Sequence, residues 1–259
     1  MILLKEGRHE YAVDMVTHLV SFECDFKPSS QDVLVCLHGL GCSRESFRHV
    51  YEYPYFSRAS ILTLDFLGFG SSSKPDDFSY ALEDQARVCE HLLGELPFEN
   101  IHIVAHSMGN AVALLLSPAR LSDIRSFSNI EGNLIGEDCG MLSRGIASTP
   151  FHEYCTNVFP SEQMEFLGHP QFRFEHTTAP AVHKSAQSLV ALSDSGELLT
   201  KFTDLSCKKR YFWGEENAWM PILQKLDGDM TEIIHQSGHS VMTDNPGEFF
   251  LKLAGFIDL

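Results

Sequence analysis

The sequence predicts an α/β fold: a mostly parallel sheet flanked by helices, with an inserted helical cap. Three observations carry this. Short, continuous apolar runs alternate with amphipathic stretches at helical spacing, the pattern of a sheet covered on both faces. The runs end in small or functional residues, where such sheets place their ligands: His38-Gly39, Asp65, Ser107, Glu131, Gly214 and His239. The stretch from Leu134 to Leu205 breaks the rhythm and is rich in Phe.

Taken in order, Val16 to Phe26 alternates loosely and reads as an early strand. Asp32 to Leu37 is a buried strand entering a tight turn at His38-Gly39, and Ile61 to Leu64 is another, entering Asp65 and Gly68-Phe69-Gly70-Ser71. Leu82, Ala86, Cys89, Leu92, Leu93 and Leu96 share one helical face, with Ser79 placed to cap that helix. Ile101 to Ala105 is a third buried strand, followed at once by a helix to about Leu116. Ser126 to Ile130, Arg210 to Trp213 and Ile233 to His235 are three more, and Asn245-Pro246 opens a terminal helix. Between them Ala181 to Ser193 reads as a helix of the inserted segment, which also holds Phe151, Phe159, Phe166, Phe172, Phe174 and Phe202. The expected division is therefore a core of residues 1–133 and 206–259 and a cap of residues 134–205.

Composition narrows the function. The chain carries 35 acidic against 19 Lys and Arg residues, a formal charge of −16. Nucleic acid needs a cationic footprint, so it is not an expected partner, and neither is an anionic membrane. The start is charged too soon for a signal peptide, and the 7 cysteines are odd in number with no C-x-x-C pair. Reduced thiols in a cytoplasmic protein are the expectation. The 13 histidines show no H-E-x-x-H spacing, so no metal is expected. A small molecule is the expected partner, and the oligomeric state is open.

The chemistry centres on Ala105-His106-Ser107-Met108-Gly109. A strand leads in, a helix leads out, and small residues at 105 and 109 permit a turn sharp enough to lift the Ser107 side chain clear of the backbone. The helix N-terminus favours negative charge developing there. The usual pattern is G-x-S-x-G; Ala105 adds only a methyl group.

These residues resemble the α/β-hydrolase superfamily, in its branch of capped, single-domain serine esterases. His38-Gly39-Leu40-Gly41 resembles that family's oxyanion-hole turn, and Asp65 to Ser71 its D-x-x-G-x-G-x-S turn. Ser237-Gly238-His239 followed by Asp244-Asn245-Pro246 resembles its G-H and N-P helix start. The resemblance implies Ser107 as nucleophile, His239 as its base, and the backbone N–H groups of Leu40 and Met108 as the oxyanion hole. His38 and His106 are expected to shape turns and to transfer no proton. No cofactor is implied.

The acid departs from the pattern. The family's G-x-x-D here reads Gly214-Glu215-Glu216-Asn217, with a neutral Asn217. Glu131, at the end of the preceding strand, is the preferred substitute, since certain haloalkane dehalogenases place a Glu there. Glu216 and Glu215 are the alternatives. All three keep the order nucleophile, acid, base.

The expected activity is hydrolysis of carboxylic esters of small or medium, mainly apolar, neutral substrates through an acyl-enzyme. The same triad would serve a thioesterase, a lactonase or amidase, or a C–C hydrolase. A dehalogenase is disfavoured, because its nucleophile is a carboxylate. A non-catalytic binding protein on the same fold is the alternative of a different class. The segment 134–205 holds 4 basic and 9 acidic residues. An acidic entrance disfavours phosphorylated or coenzyme-A-linked substrates.

Overall fold

The computed structural model describes residues 2–15, 18–140, 142–169 and 171–258. Its centre is an eight-stranded sheet: β1 (Gly7–Met15), β2 (His18–Phe26), β3 (Asp32–Leu37), β4 (Ser60–Leu64), β5 (Asn100–His106), β6 (Ile124–Ile130), β7 (Lys208–Gly214) and β8 (Thr231–Ile234). The order across the sheet is β1-β2-β4-β3-β5-β6-β7-β8. β1 pairs antiparallel with β2, and β2 antiparallel with β4; all later pairs are parallel.

Alternation along the strands divides the core into two layers. Val33, Val35 and Leu37 of β3 join Ile101, Ile103 and Ala105 of β5 on one face, under α1 (Leu82–Glu95) and α2 (Met108–Leu114). Leu34, Cys36 and Val104 point to the other face. A short helix α3 (Pro118–Ser122) leads into β6. All seven cysteines are free thiols, and five of them are buried.

Between β6 and β7 the described residues form no strand. They fold as α4 (Ser143–Ser148), α5 (Phe151–Glu153), a π turn at Tyr154–Val158, α6 (Phe159–Glu165), α7 (Ala179–Ser195) and α8 (Glu197–Asp204). Among the hydrogen bonds that tie this segment to the rest of the chain, four reach the turns after β3 and β4 and the start of α1. Arg173 N–H donates to Gly41 O (2.7 Å) and the Thr177 hydroxyl to Gly68 O (2.7 Å). The Ser185 hydroxyl donates to Tyr80 O (3.0 Å), and Leu82 N–H donates to Ser188 Oγ (3.0 Å). Gly41 and Gly68 have positive φ, and a Cβ there would meet Phe174 and Ala181. Only glycine lets those loops turn and lets the helical segment sit down on them. After β8 come α9 (Val241–Asp244) and α10 (Pro246–Ile257), whose Phe249, Phe250 and Leu253 fill the second layer.

Most expected elements are present, with three differences. β1 was not anticipated: its sequence GRHEYAVDM sets charged residues among few apolar ones, as suits a sheet edge. The strand expected from Val16 begins at His18, residues 16 and 17 lying outside the described residues. Ser79 is not the residue that starts α1. Ala81 is, while Ser79 Oγ accepts Ala81 N–H (3.1 Å) and Ser188 takes the first helical N–H.

Candidate active site

Ser107 lies between the last residue of β5 and the first of α2, at φ 51° and ψ −122°. A non-glycine residue held in such a conformation stores roughly 1–3 kcal/mol of strain and marks a functional turn. The turn is held from two sides. Ser107 N–H donates to Ile130 O at 3.0 Å. Gly109 passes so close to β3 that a Cβ would lie 2.5 Å from Leu37 O. Met108 opens α2, so its N–H has no acceptor within the helix. Leu40 shares the cavity with Ser107.

Glu131 follows β6 and also has positive φ, 41°. Its N–H donates to Phe212 O of β7 (3.0 Å), which fixes the residue at the junction of two strands. The carboxylate is buried at 3% exposure and its hydrogen bonds are accounted for. Oε1 accepts from Gly214 N–H (2.7 Å) and Asn217 Nδ2 (3.1 Å). Oε2 accepts from Asn217 Nδ2 (2.8 Å) and His239 Nδ1 (2.8 Å). Because a carboxylate only accepts, Nδ1 of His239 carries the proton and Nε2 is the basic nitrogen.

Of the alternative acids, neither is joined to His239. Glu215 is exposed and accepts from Gln236 N–H (3.0 Å), and Glu216 is exposed on the same turn. The residue at the family's acid position, Asn217, is not a gap in the site. It is buried and its amide clamps Glu131. The Gly214-x-x-Asn217 spacing was the signal for it, legible only once Glu131 is known to face it.

His38 and His106 behave as turn-shaping residues. His38 Nδ1 donates to Gly39 O (2.8 Å) and Nε2 accepts Phe66 N–H (3.1 Å), so the ring is neutral; burial lowers its pKa. His106 Nε2 donates to His239 O at 3.1 Å, and its ring lies 4.7 Å from that of His239. Burial first, and then the neighbouring His239, hold its pKa well below the usual range.

Ser107 and His239 line one cavity of about 60 Å³. Leu40 and Cys42 from the sheet side and Leu142 and Phe172 from the helical segment form its apolar lining; Asn133, Asp138, Ser143 and Ser240 form its polar lining. Of the six Phe of the inserted segment, Phe172 alone lines it among the described residues. Phe174 and Phe202 are fully buried in the core instead, Phe202 against Phe127 at 5.9 Å. Burial pushes the Cys42 thiol up to about 12, so it stays protonated beside the serine.

The family model described as the alpha/beta hydrolase family matches residues 34–253. The mesoderm-specific transcript protein of Mus musculus is 35% identical over 86 residues, covering 32% of this chain and 26% of that protein. A probable lysophospholipase, BODYGUARD 4 of Arabidopsis thaliana, is 30% identical over 132 residues, covering 47% and 31%. The matches thus span about a third or less of these relatives' own lengths. Among solved structures, the N-acyl homoserine lactonase AidH superimposes with a TM-score of 0.75 over 96% of both chains at 16% identity, a likeness of fold.

Proposed function

The chain belongs to the alpha/beta hydrolase family, and from that premise we propose that it is a serine hydrolase of carboxylic esters with small or medium, mainly apolar acyl groups. One observation carries the reading: the serine on its strained turn shares a cavity with a histidine whose Nδ1 lies 2.8 Å from a buried carboxylate. Residues 134–205 act in this reading as the cap that closes the cavity.

A serine hydroxyl is a poor nucleophile until a base takes its proton. His239 Nε2 takes it as Oγ attacks the ester carbonyl. The N–H groups of Met108 and Leu40 stabilise the oxyanion, donors that do not need to reorganise as charge develops. Collapse expels the alcohol, which receives the proton from His239. Water, deprotonated by the same nitrogen, then releases the acid and frees Ser107. Glu131 holds the imidazole in the right tautomer and stabilises the imidazolium formed twice per cycle. Its four hydrogen bonds keep it fixed while doing so.

A graded series of p-nitrophenyl esters tests this. Wild type should turn over short and medium esters, and Ser107→Ala should lower kcat by roughly 10⁵–10⁶-fold. Folded wild type that hydrolyses none of them, or a Ser107→Ala variant as active as wild type, would overturn the reading.

A further inference from the structure

We propose that Asn133 and Asp138 form a subsite in the Ser107 cavity for a hydrogen-bond-donating group of the substrate, a hydroxyl or an ammonium carried near the scissile carbonyl. The inference rests on the serine-hydrolase reading of that cavity and adds the substrate class.

The chain leaves β6 through Glu131 and folds back at once. Asp138 Oδ2 accepts Leu134 N–H (2.9 Å) and Ile135 N–H (3.0 Å), and Asp138 N–H returns to Ile135 O (3.1 Å). One carboxylate oxygen thus builds the turn. The other, Oδ1, is buried and has no hydrogen-bond partner among the described residues. Asn133 is 4% exposed and is anchored through its carbonyl to Asn110 Nδ2 (3.1 Å). Its Nδ2 reaches Cys139 Sγ (3.5 Å), while its Oδ1 is likewise buried and without a partner. Both residues line the cavity that holds Ser107.

Asn133 and Asp138, two residues of one wall, thus each carry a buried oxygen acceptor with no donor. Leaving such groups unsatisfied is costly, and a donor brought by a bound substrate would satisfy the two that belong to cavity-lining residues. Among the described residues no Lys or Arg lines the cavity to serve them. Arg144, the guanidinium on the adjoining helix, is committed to Asp194 (2.6 and 3.0 Å) and to Gly136 O (2.7 Å). Burial, reinforced by Glu137 and Glu131, raises the Asp138 carboxyl to about 6 against the pull of its two backbone donors. A donor arriving at Oδ1, and a cation most of all, stabilises the ionised form. An anion meets the Asp138 carboxylate there and is repelled by it. The apolar lining of Leu40, Cys42 and Phe172 is left for the acyl chain.

The test compares ethyl butyrate, ethyl 3-hydroxybutyrate, ethyl 3-aminobutyrate and monoethyl succinate with wild type, Asp138→Asn and Asn133→Leu at pH 7.5. Asp138→Asn keeps an oxygen for the Leu134 and Ile135 N–H groups. The readout is the ratio of kcat/KM values within each enzyme, so a loss common to all esters cancels. In wild type the hydroxy and amino esters should exceed ethyl butyrate by about 10- to 100-fold, the range of a hydrogen bond to a charged acceptor, and the succinate should be the poorest. Each variant should bring the first two ratios toward one. Wild-type ratios near one, or ratios unchanged in both variants, overturn the subsite and leave the serine reading intact. Hydrolysis that survives Ser107→Ala overturns the serine reading and the subsite with it.

Discussion

The strand ends and the helical segment close the same cavity, but the chain holds them by different means. At the strand ends, Ser107 and Glu131 sit in left-handed backbone, each fastened to the neighbouring strand by a 3.0 Å hydrogen bond. The parallel ladder sets their spacing, and no side-chain packing is needed to do so. The helical segment is built of several short helices and the 17-residue α7, with a π turn between α5 and α6 and with Met164 and Leu167 exposed. Its residues at the cavity are Asp138, Leu142, Ser143 and Phe172. In the proposed reading, the reacting groups stand at strand ends joined by main-chain hydrogen bonds, with Asn217 clamping the Glu131 carboxylate, and the substrate-selecting groups stand on the segment that follows β6. Changes at the strand ends should strike kcat, and changes in the segment should strike selectivity.

The largest effect that would break this division lies at Glu131. Glu131→Gln should lower kcat by about 10³–10⁴-fold with little change in KM, since a neutral amide neither favours the right tautomer nor stabilises the imidazolium. Asn217→Ala, which removes the clamp and keeps the charge, should lower kcat by about 10- to 100-fold. If Glu131→Gln matches wild type while Glu216→Gln is crippled, the acid belongs to the exposed turn and the comparison fails.

A smaller effect sharpens the contrast, because the two regions titrate in opposite senses. His38 and His106 at the strand ends have folded pKa values below the ordinary 6.5. As pH falls below 6.5 the unfolded chain takes up protons that the folded one does not, so stability falls. Burial outweighs Asp65, which favours charged His38, while His239 and His38 both oppose charging His106. Asp138 is raised from 3.8 to about 6, so between those values the folded chain binds the extra proton and stability rises on acidification. The two slopes partly cancel in wild type. Thermal midpoints measured from pH 6.5 to 4.5 should therefore fall more steeply for Asp138→Asn than for wild type. Parallel curves would show that Asp138 is not buried as described.

The parallel strands were legible because each is a short apolar run ending in a turn residue, and the serine turn was legible because small residues flank Ser107 on both sides. β1 was not, because an edge strand answers to its partner and not to a core. The start of α1 was misplaced for a related reason: its first N–H is taken by Ser188, 106 residues away in sequence. Glu131 could be chosen from its place at a strand end. The part played by Asn217 could not, since it depends on two loops meeting across β6 and β7. Asp138 entered the sequence reading only as one acidic residue among nine, because an unpaired oxygen is a property of packing.

Labelling with a fluorophosphonate probe, read by intact mass and peptide mapping, tests the central claim most directly. The account predicts a single adduct on the peptide containing Ser107, formed more slowly in Glu131→Gln and absent in Ser107→Ala. Folded wild type that takes no label, or a label that persists in Ser107→Ala, would contradict it.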